Sequence, residues 1–248
     1  ALAEKLSLPA AEPLDIQGRA DETRKLLIGL YDDECVEAVM IPAADRRTLC
    51  LSSQVGCRFN CAFCASGQGG FQRQLSSGEI VQQVIAASRL WGDRPSHVVY
   101  MGVGEPFDNY DEVLKSVRML NDADGLGIGA RRITISTCGV VPGIARLADE
   151  SIQVELSVSL HAPNDTVRAA LMPVNSTWPV DVLLDACRAY AEHTHRIITF
   201  EYTLIRDVND SETHARELAT RLARLPCRVN LIPLSEVPEF EGQPASPA

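Results

Sequence analysis

The stretch GCRFNCAFCASG, residues 56–67, sets Cys57, Cys61 and Cys64 in one short loop with C-x3-C-x2-C spacing. A closed tetrahedral metal site takes four protein ligands, so three thiols leave one position to be filled. The loop follows the strand-like run RTLCLSS (47–53) and precedes the helical pattern SGEIVQQVIAASRLW (77–91). Outward from there the alternation continues. Strand-like runs fall at 97–104, 132–139, 154–160, 196–205 and 228–234, and helical patterns at 110–120, 142–150, 179–193 and 211–225. Six strands alternating with about five helices predict parallel β/α units. The runs are nearly continuous in apolar residues, as when both sheet faces are covered. The fold class is therefore α/β, and six repeats suit either an open twisted sheet or a partial barrel. Ahead of it, residues 24–46 read as an antiparallel β extension turning at YDDE and PAADRR. Ser76 or Ser77, Asp111, and Asp210 with Ser211 are the candidate helix caps.

Composition bounds the function. The chain has 248 residues, 46% of them hydrophobic, enough to bury a full core in one domain. No apolar run approaches a membrane span of about 20 residues, and the first residues lack a signal-peptide core. A cytoplasmic protein is expected. Eight unevenly spaced cysteines argue against a disulfide framework. The net charge of −10 stands against a nucleic-acid partner, which favours a basic face.

The polar residues of the repeats cluster at strand ends: Gly104-Glu105-Pro106, Ser136-Thr137, Ser159-Leu160-His161, and Asn230 with Ser235 around the last strand. Ligands of parallel α/β folds gather at the carboxyl ends of strands, so these groups and the cysteine loop should ring one mouth. Three readings of the thiols compete. A zinc site would need His161 or Cys138 as fourth ligand. A redox pair would use Cys61 and Cys64 alone. A [4Fe–4S] cluster would sit on three thiolates, with one iron open and Phe63 shielding it. The spacing favours the third. Cys35, Cys138, Cys187 and Cys227 read as packing residues.

CRFNCAFC resembles the signature of the radical S-adenosylmethionine superfamily, in which the cosubstrate chelates the open iron. The motifs TLCLSSQVGCRFNCAFCASGQGGF, MGVGEP, RRITISTCGVVPGI, SVSLHAPND, VRAALMPVN, FEYTLIRDVND and CRVNLIP together resemble the RlmN/Cfr family of adenine methylases, over residues 24–235. The resemblance implies a partial (β/α)6 TIM-like barrel of the radical S-adenosylmethionine type and a [4Fe–4S] cluster on Cys57, Cys61 and Cys64. It implies S-adenosyl-L-methionine contacts at Gly104, Glu105, Ser136, Ser159, Leu160 and His161. It also implies Glu37 as proton acceptor and Cys50 as an accessory thiol that releases a covalent enzyme–RNA adduct.

The implied reaction is methylation of carbon-2 of adenine in 23S rRNA and tRNA through a methylcysteine. The implied partners are RNA and a reductant such as flavodoxin or ferredoxin, and the expected state is a monomer. Two departures stand out. Ser235 occupies the position of a family Asn that contacts the cosubstrate, and no segment up to Ala248 matches the family's methyl-accepting cysteine. The expected division is 1–23 as remnant of an accessory region, 24–46 as the extension, 47–235 as the core barrel and 236–248 as the start of a mobile tail. The alternatives are a radical enzyme acting directly through the 5′-deoxyadenosyl radical on another substrate, and an inactive cluster-containing binding protein.

Overall fold

The computed structural model describes residues 12–246. Strands β1 (Pro13–Gln17), β2 (Arg24–Gly29) and β3 (Cys35–Pro42) lead into β4 (Arg47–Cys50). A short hairpin of β5 (Gln54–Gly56) and β6 (Phe71–Gln74) brackets the cysteine loop and the single turn α1 (Ala65–Gln68). The repeats follow as α2 (Ser77–Trp91), β7 (His97–Tyr100), α3 (Tyr110–Asn121), β8 (Ile133–Thr137), α4 (Val141–Ala148) and β9 (Glu155–Ser159). Then come α5 (Asp165–Leu171), α6 (Val180–Thr194), β10 (Ile198–Leu204), α7 (Glu212–Leu222) and β11 (Cys227–Pro233).

The main sheet runs β1-β2-β3-β4-β7-β8-β9-β10-β11. Pairing is antiparallel through β4 and parallel from β4 to β11. The result is a partial (β/α)6 barrel with an antiparallel extension, and its six parallel strands are the six expected from sequence. The extension starts earlier than expected. Residues 13–17, assigned by sequence to a separate N-terminal segment, pair with β2, while residues 1–11 lie outside the described residues.

The strands are not apolar on both faces. Val98, Ile133, Ile135, Leu156, Val158, Ile198 and Phe200 are buried in the main core. The alternate positions carry Thr134, Ser136, Ser157, Ser159, Thr199, Glu201 and Asn230, which register aligns across the sheet. A parallel sheet covered by helices on its outer face can keep a polar inner face only where that face lines a cavity.

Helix α2 shows how local sequence sets the outer layer. Ile80, Val84 and Ala87, at helical spacing, are fully buried. Ile80 and Val84 each contribute roughly 1.5–3 kcal/mol of apolar burial. Ser76 accepts from Glu79 N, and the Glu79 carboxylate accepts from Ser76 N, a complete capping box. Gln83 interrupts the apolar face for a reason. Its amide accepts from Ser52 N and donates to Ser52 O, both at 2.9 Å, fixing the chain as it leaves β4. Arg73 on β6 bridges Asp32 (2.6 Å) and Glu79 (2.8 Å), tying the β2–β3 turn to α2.

Three smaller expectations change. Helix α3 follows a 3-10 turn, Pro106–Asn109, and Asp111 pairs with Arg146 instead of capping. Cys35 is exposed and does not pack. The tail makes contact with the barrel: Arg206 N donates to Gln243 O at 2.8 Å, and Phe240 packs edge-on against Phe63. Ser76→Ala should cost about 1 kcal/mol of unfolding free energy, read from urea denaturation, with no change in far-ultraviolet dichroism.

Candidate cofactor-binding site

The carboxyl ends of the parallel strands surround a cavity of about 390 Å³. Its wall includes Cys57, Cys61 and Cys64 from the loop, Gly104 and Glu105 after β7, and Ser136 on β8. Ser159 on β9, His161 just beyond it, Glu201 on β10 and Asn230 on β11 add to the polar lining. Most residues implicated by sequence therefore share one space. Leu160 points away: it is fully buried, and its carbonyl accepts from Arg168. Ser235 is exposed beyond β11 and Cys50 is buried beside the cavity, but neither is among its lining residues. Glu37 is half-exposed and pairs with Lys25 at 2.8 Å. Register nevertheless puts Glu37, Val39 and Cys50 on the same sheet face as the cavity residues. Cys138, expected only to pack, forms part of the wall.

The loop is held at both ends. Cys57 N donates to Gly70 O at 3.1 Å, Ala62 N to Leu171 O at 2.9 Å and Cys64 N to Cys61 O at 3.1 Å. Burial, and then the neighbouring Cys64 and Cys57, push the Cys61 thiol up to about 12. Burial also raises Cys57. These thiols stay protonated until a cation neutralises them together. Among the described residues, no three His, Cys, Asp or Glu side chains converge on one metal position. All three cysteines line the one cavity, where a cluster could take each thiolate on its own iron. Tetrahedral zinc would draw its thiolates to about 2.3 Å from one point.

The turn carrying Glu105 is fixed by Gln54, which is fully buried at the start of β5. Gln54 Oε1 accepts from Glu105 N at 2.8 Å, and its Nε2 donates to Gln74 Oε1 and Asp108 Oδ2 at 2.8 and 2.7 Å. Gly104 adopts φ +106°, and a Cβ there would stand 2.6 Å from the Gln54 side chain. Only glycine serves at this position. Asn109 completes the brace, donating to Ser53 O and Leu75 O.

The Glu105 carboxylate accepts from Phe107 N at 3.0 Å and Cys138 N at 2.7 Å. Burial nevertheless raises it above the usual carboxylate range. Glu201, also buried, accepts from Ser157 Oγ (3.2 Å) and Asn230 Nδ2 (2.7 Å). Among the described residues neither carboxylate has a cationic partner within ion-pair distance.

His161 has φ +55°. Its Nδ1 accepts from Thr203 N at 2.9 Å, so the neutral ring carries its proton on Nε2. Burial, and then Arg168, lower its pKa to about 3. Phe63 packs edge-on against the ring at 4.8 Å.

Sequence reasoning missed Glu201, Gln54 and Arg168. Glu201 had a signal, as the lone acid in the apolar run RIITFEYTLI. Gln54 and Arg168 had none, because nothing local distinguishes them from solvated polar residues.

The comparisons with known proteins agree with this geometry. The Radical SAM superfamily model matches residues 51–219. "Probable dual-specificity RNA methyltransferase RlmN" of Clostridium tetani is 47% identical over 226 residues, 91% of this chain and 65% of that protein. The protein of the same name from Moorella thermoacetica is 48% identical over 258 residues, 100% of this chain and 73% of its own. The crystal structure of a radical SAM methyltransferase from Sphaerobacter thermophilus superposes with TM-score 0.94 at 46% identity, covering 99% of this chain and 73% of that one. The chain belongs to the radical SAM superfamily and, within it, to the RlmN family. It spans 64–65% of the length of the first curated relatives it matches. Membership brings the superfamily's cofactors, a [4Fe–4S] cluster and S-adenosylmethionine. Among the described residues no helix is long and apolar enough to cross a membrane.

Two outcomes test the site. Gln54→Met strands the Glu105 N–H in a buried turn and should destabilise the protein by roughly 2–3 kcal/mol, measured by denaturant titration. His161 is neutral when folded, and its folded pKa lies below the ordinary 6.5. Its contribution is therefore complete above pH 6.5 and lost as pH falls toward 3, by up to about 1.4 kcal/mol per pH unit. Cluster-free His161→Gln should lose less stability than the parent across that window.

Proposed function

We propose that this chain forms the catalytic core of a radical S-adenosylmethionine enzyme that methylates carbon-2 of adenine in ribosomal RNA and transfer RNA. The observation that carries it is the pair of buried carboxylates, Glu105 and Glu201, which face one cavity and, among the described residues, have no cation within ion-pair distance. Buried anions need a counter-charge. S-adenosylmethionine brings two, an ammonium and a sulfonium. The printed names of the relatives, RNA methyltransferases at close to half identity, support the reaction class.

Cys57, Cys61 and Cys64 would hold the cluster, which when bound supplies the electron for cosubstrate cleavage. Glu105 is suited to the ammonium of S-adenosylmethionine, with the Gly104 turn against its backbone. Ser136, Ser159 and His161 offer hydrogen-bonding groups to the nucleoside part. Phe63 and Met172 keep the wall apolar and water out. A target adenine must leave its stack to reach this mouth.

Glu37 as proton acceptor and Cys50 as accessory thiol belong to the same proposal, with a condition. Lys25 must release Glu37. Cys50, raised by burial to about 11, must gain solvent before it can ionise. Ser235, exposed as it stands, would reach cosubstrate only through movement of the segment after β11. The implied partners are RNA and a flavodoxin- or ferredoxin-type reductant, and the expected setting is a monomer in the cytoplasm.

The test is anaerobic reconstitution of the full reading frame. The parent should bind iron and sulfide and convert S-adenosylmethionine to 5′-deoxyadenosine. RNA from treated ribosomes should contain 2-methyladenosine by mass spectrometry. Cys61→Ala should lose iron, sulfide and turnover together. Zinc without sulfide in the parent would remove the radical reading. Turnover without methylated RNA would leave a radical enzyme with another substrate.

A further inference from the structure

Arg168 on α5 has no exposed surface. Its guanidinium donates to five neutral acceptors. These are Cys138 O at 2.7 Å, Asn175 Oδ1 at 3.0 Å, Leu160 O and Ser159 O at 3.2 Å, and Trp178 O at 3.4 Å. Among the described residues it makes no ion pair. Two carboxylates lie one residue away: Glu105, which accepts from Cys138 N at 2.7 Å, and Asp165, whose Oδ1 accepts from Asn175 Nδ2 at 3.0 Å. Asp165 is itself exposed, so water weakens its field.

Five dipoles saturate the donors of the fork, but they do not remove its charge. A buried guanidinium without an adjacent anion is costly to keep, and a neutral strut could have tied the same carbonyls. The position of α5 suggests what the charge is for. One turn after Arg168, Leu171 O accepts the Ala62 N–H between two cluster cysteines. Cys61 packs with Leu171, Met172 and Cys138 in one cluster of side chains. The ionisable groups that act on the Cys61 sulfur are Cys64, Cys57 and Glu105, all anionic when ionised, and Arg168, the cation of the set.

We propose that Arg168 is a positioning residue whose buried positive charge balances the thiolate-bound cluster and sets its reduction potential. The inference rests on the reading of Cys57, Cys61 and Cys64 as cluster ligands. A nearby cation stabilises the more negative, reduced state and therefore raises the potential. The same fork holds the ends of β8 and β9, so charge and geometry are supplied together.

The experiment uses the full reading frame reconstituted anaerobically, as the parent, Arg168→Lys, Arg168→Met and Arg168→Gln. Iron and sulfide are measured first. A parent without them fails the cluster reading itself and removes this inference with it, whereas a loaded parent isolates the role of Arg168. Midpoint potentials follow from redox titration monitored by electron paramagnetic resonance, and melting temperatures are taken with and without cluster.

All three variants should melt lower, because each loses part of the fork. The midpoint should shift negative in Arg168→Met and Arg168→Gln and stay near the parent value in Arg168→Lys. Loading should raise the melting temperature more in the parent and Arg168→Lys than in the neutral variants. That comparison still decides if one neutral variant folds poorly. An unchanged midpoint in the neutral variants, or an equal shift in Arg168→Lys, would reduce Arg168 to a structural brace.

Discussion

The mouth of this barrel depends on the buried amide of Gln54. One side chain, without access to water, accepts from the backbone of Glu105 and donates to Gln74 and Asp108. It thereby bolts the hairpin bracketing the cysteine loop to the turn after β7. Two of these hydrogen bonds, to Glu105 and Asp108, join parts of the site about fifty residues apart in sequence, and the third, to Gln74, closes the hairpin itself. The amide is well chosen for this task. It offers both an acceptor and a donor pair, so no neighbour is left unsatisfied. Gly104 follows from the same constraint, since any side chain there would occupy the volume of the amide.

Within that frame the electrostatics are divided. The carboxylates of the cavity wall, Glu105 and Glu201, have no cation within ion-pair distance among the described residues, and Arg168 lies behind the wall on α5. Such a cavity is unfavourable empty and favourable when it receives positively charged groups. The overall charge of −10 is consistent with this bias.

The sequence showed the parallel strands clearly, because short β-branched runs alternated with helical patterns, and α2 begins and ends where its Ser76 cap and apolar spacing indicate. It showed the cysteine loop and most of the cavity wall, because polar residues at strand ends have few other uses. It hid what depends on tertiary pairing. Strand β1 has the composition of a loop, and only pairing with β2 makes it a strand. The polar inner face was masked because Ser and Thr, being small or β-branched, blend into an apolar run. Arg168 and Gln54 were invisible because burial of a polar side chain is decided by partners far away in the chain, not by neighbours.

The alternation along each parallel strand has a consequence for how such a protein can change. Even and odd positions answer to different demands: one set fills the shell under the helices, the other faces the reacting space. Ser136, Ser159, Glu201 and Asn230 can therefore be exchanged with little loss from the apolar core, while Ile135, Val158 and Phe200 cannot. A lineage built this way can alter what it accommodates one inward residue at a time, while the outward residues keep the chain foldable throughout.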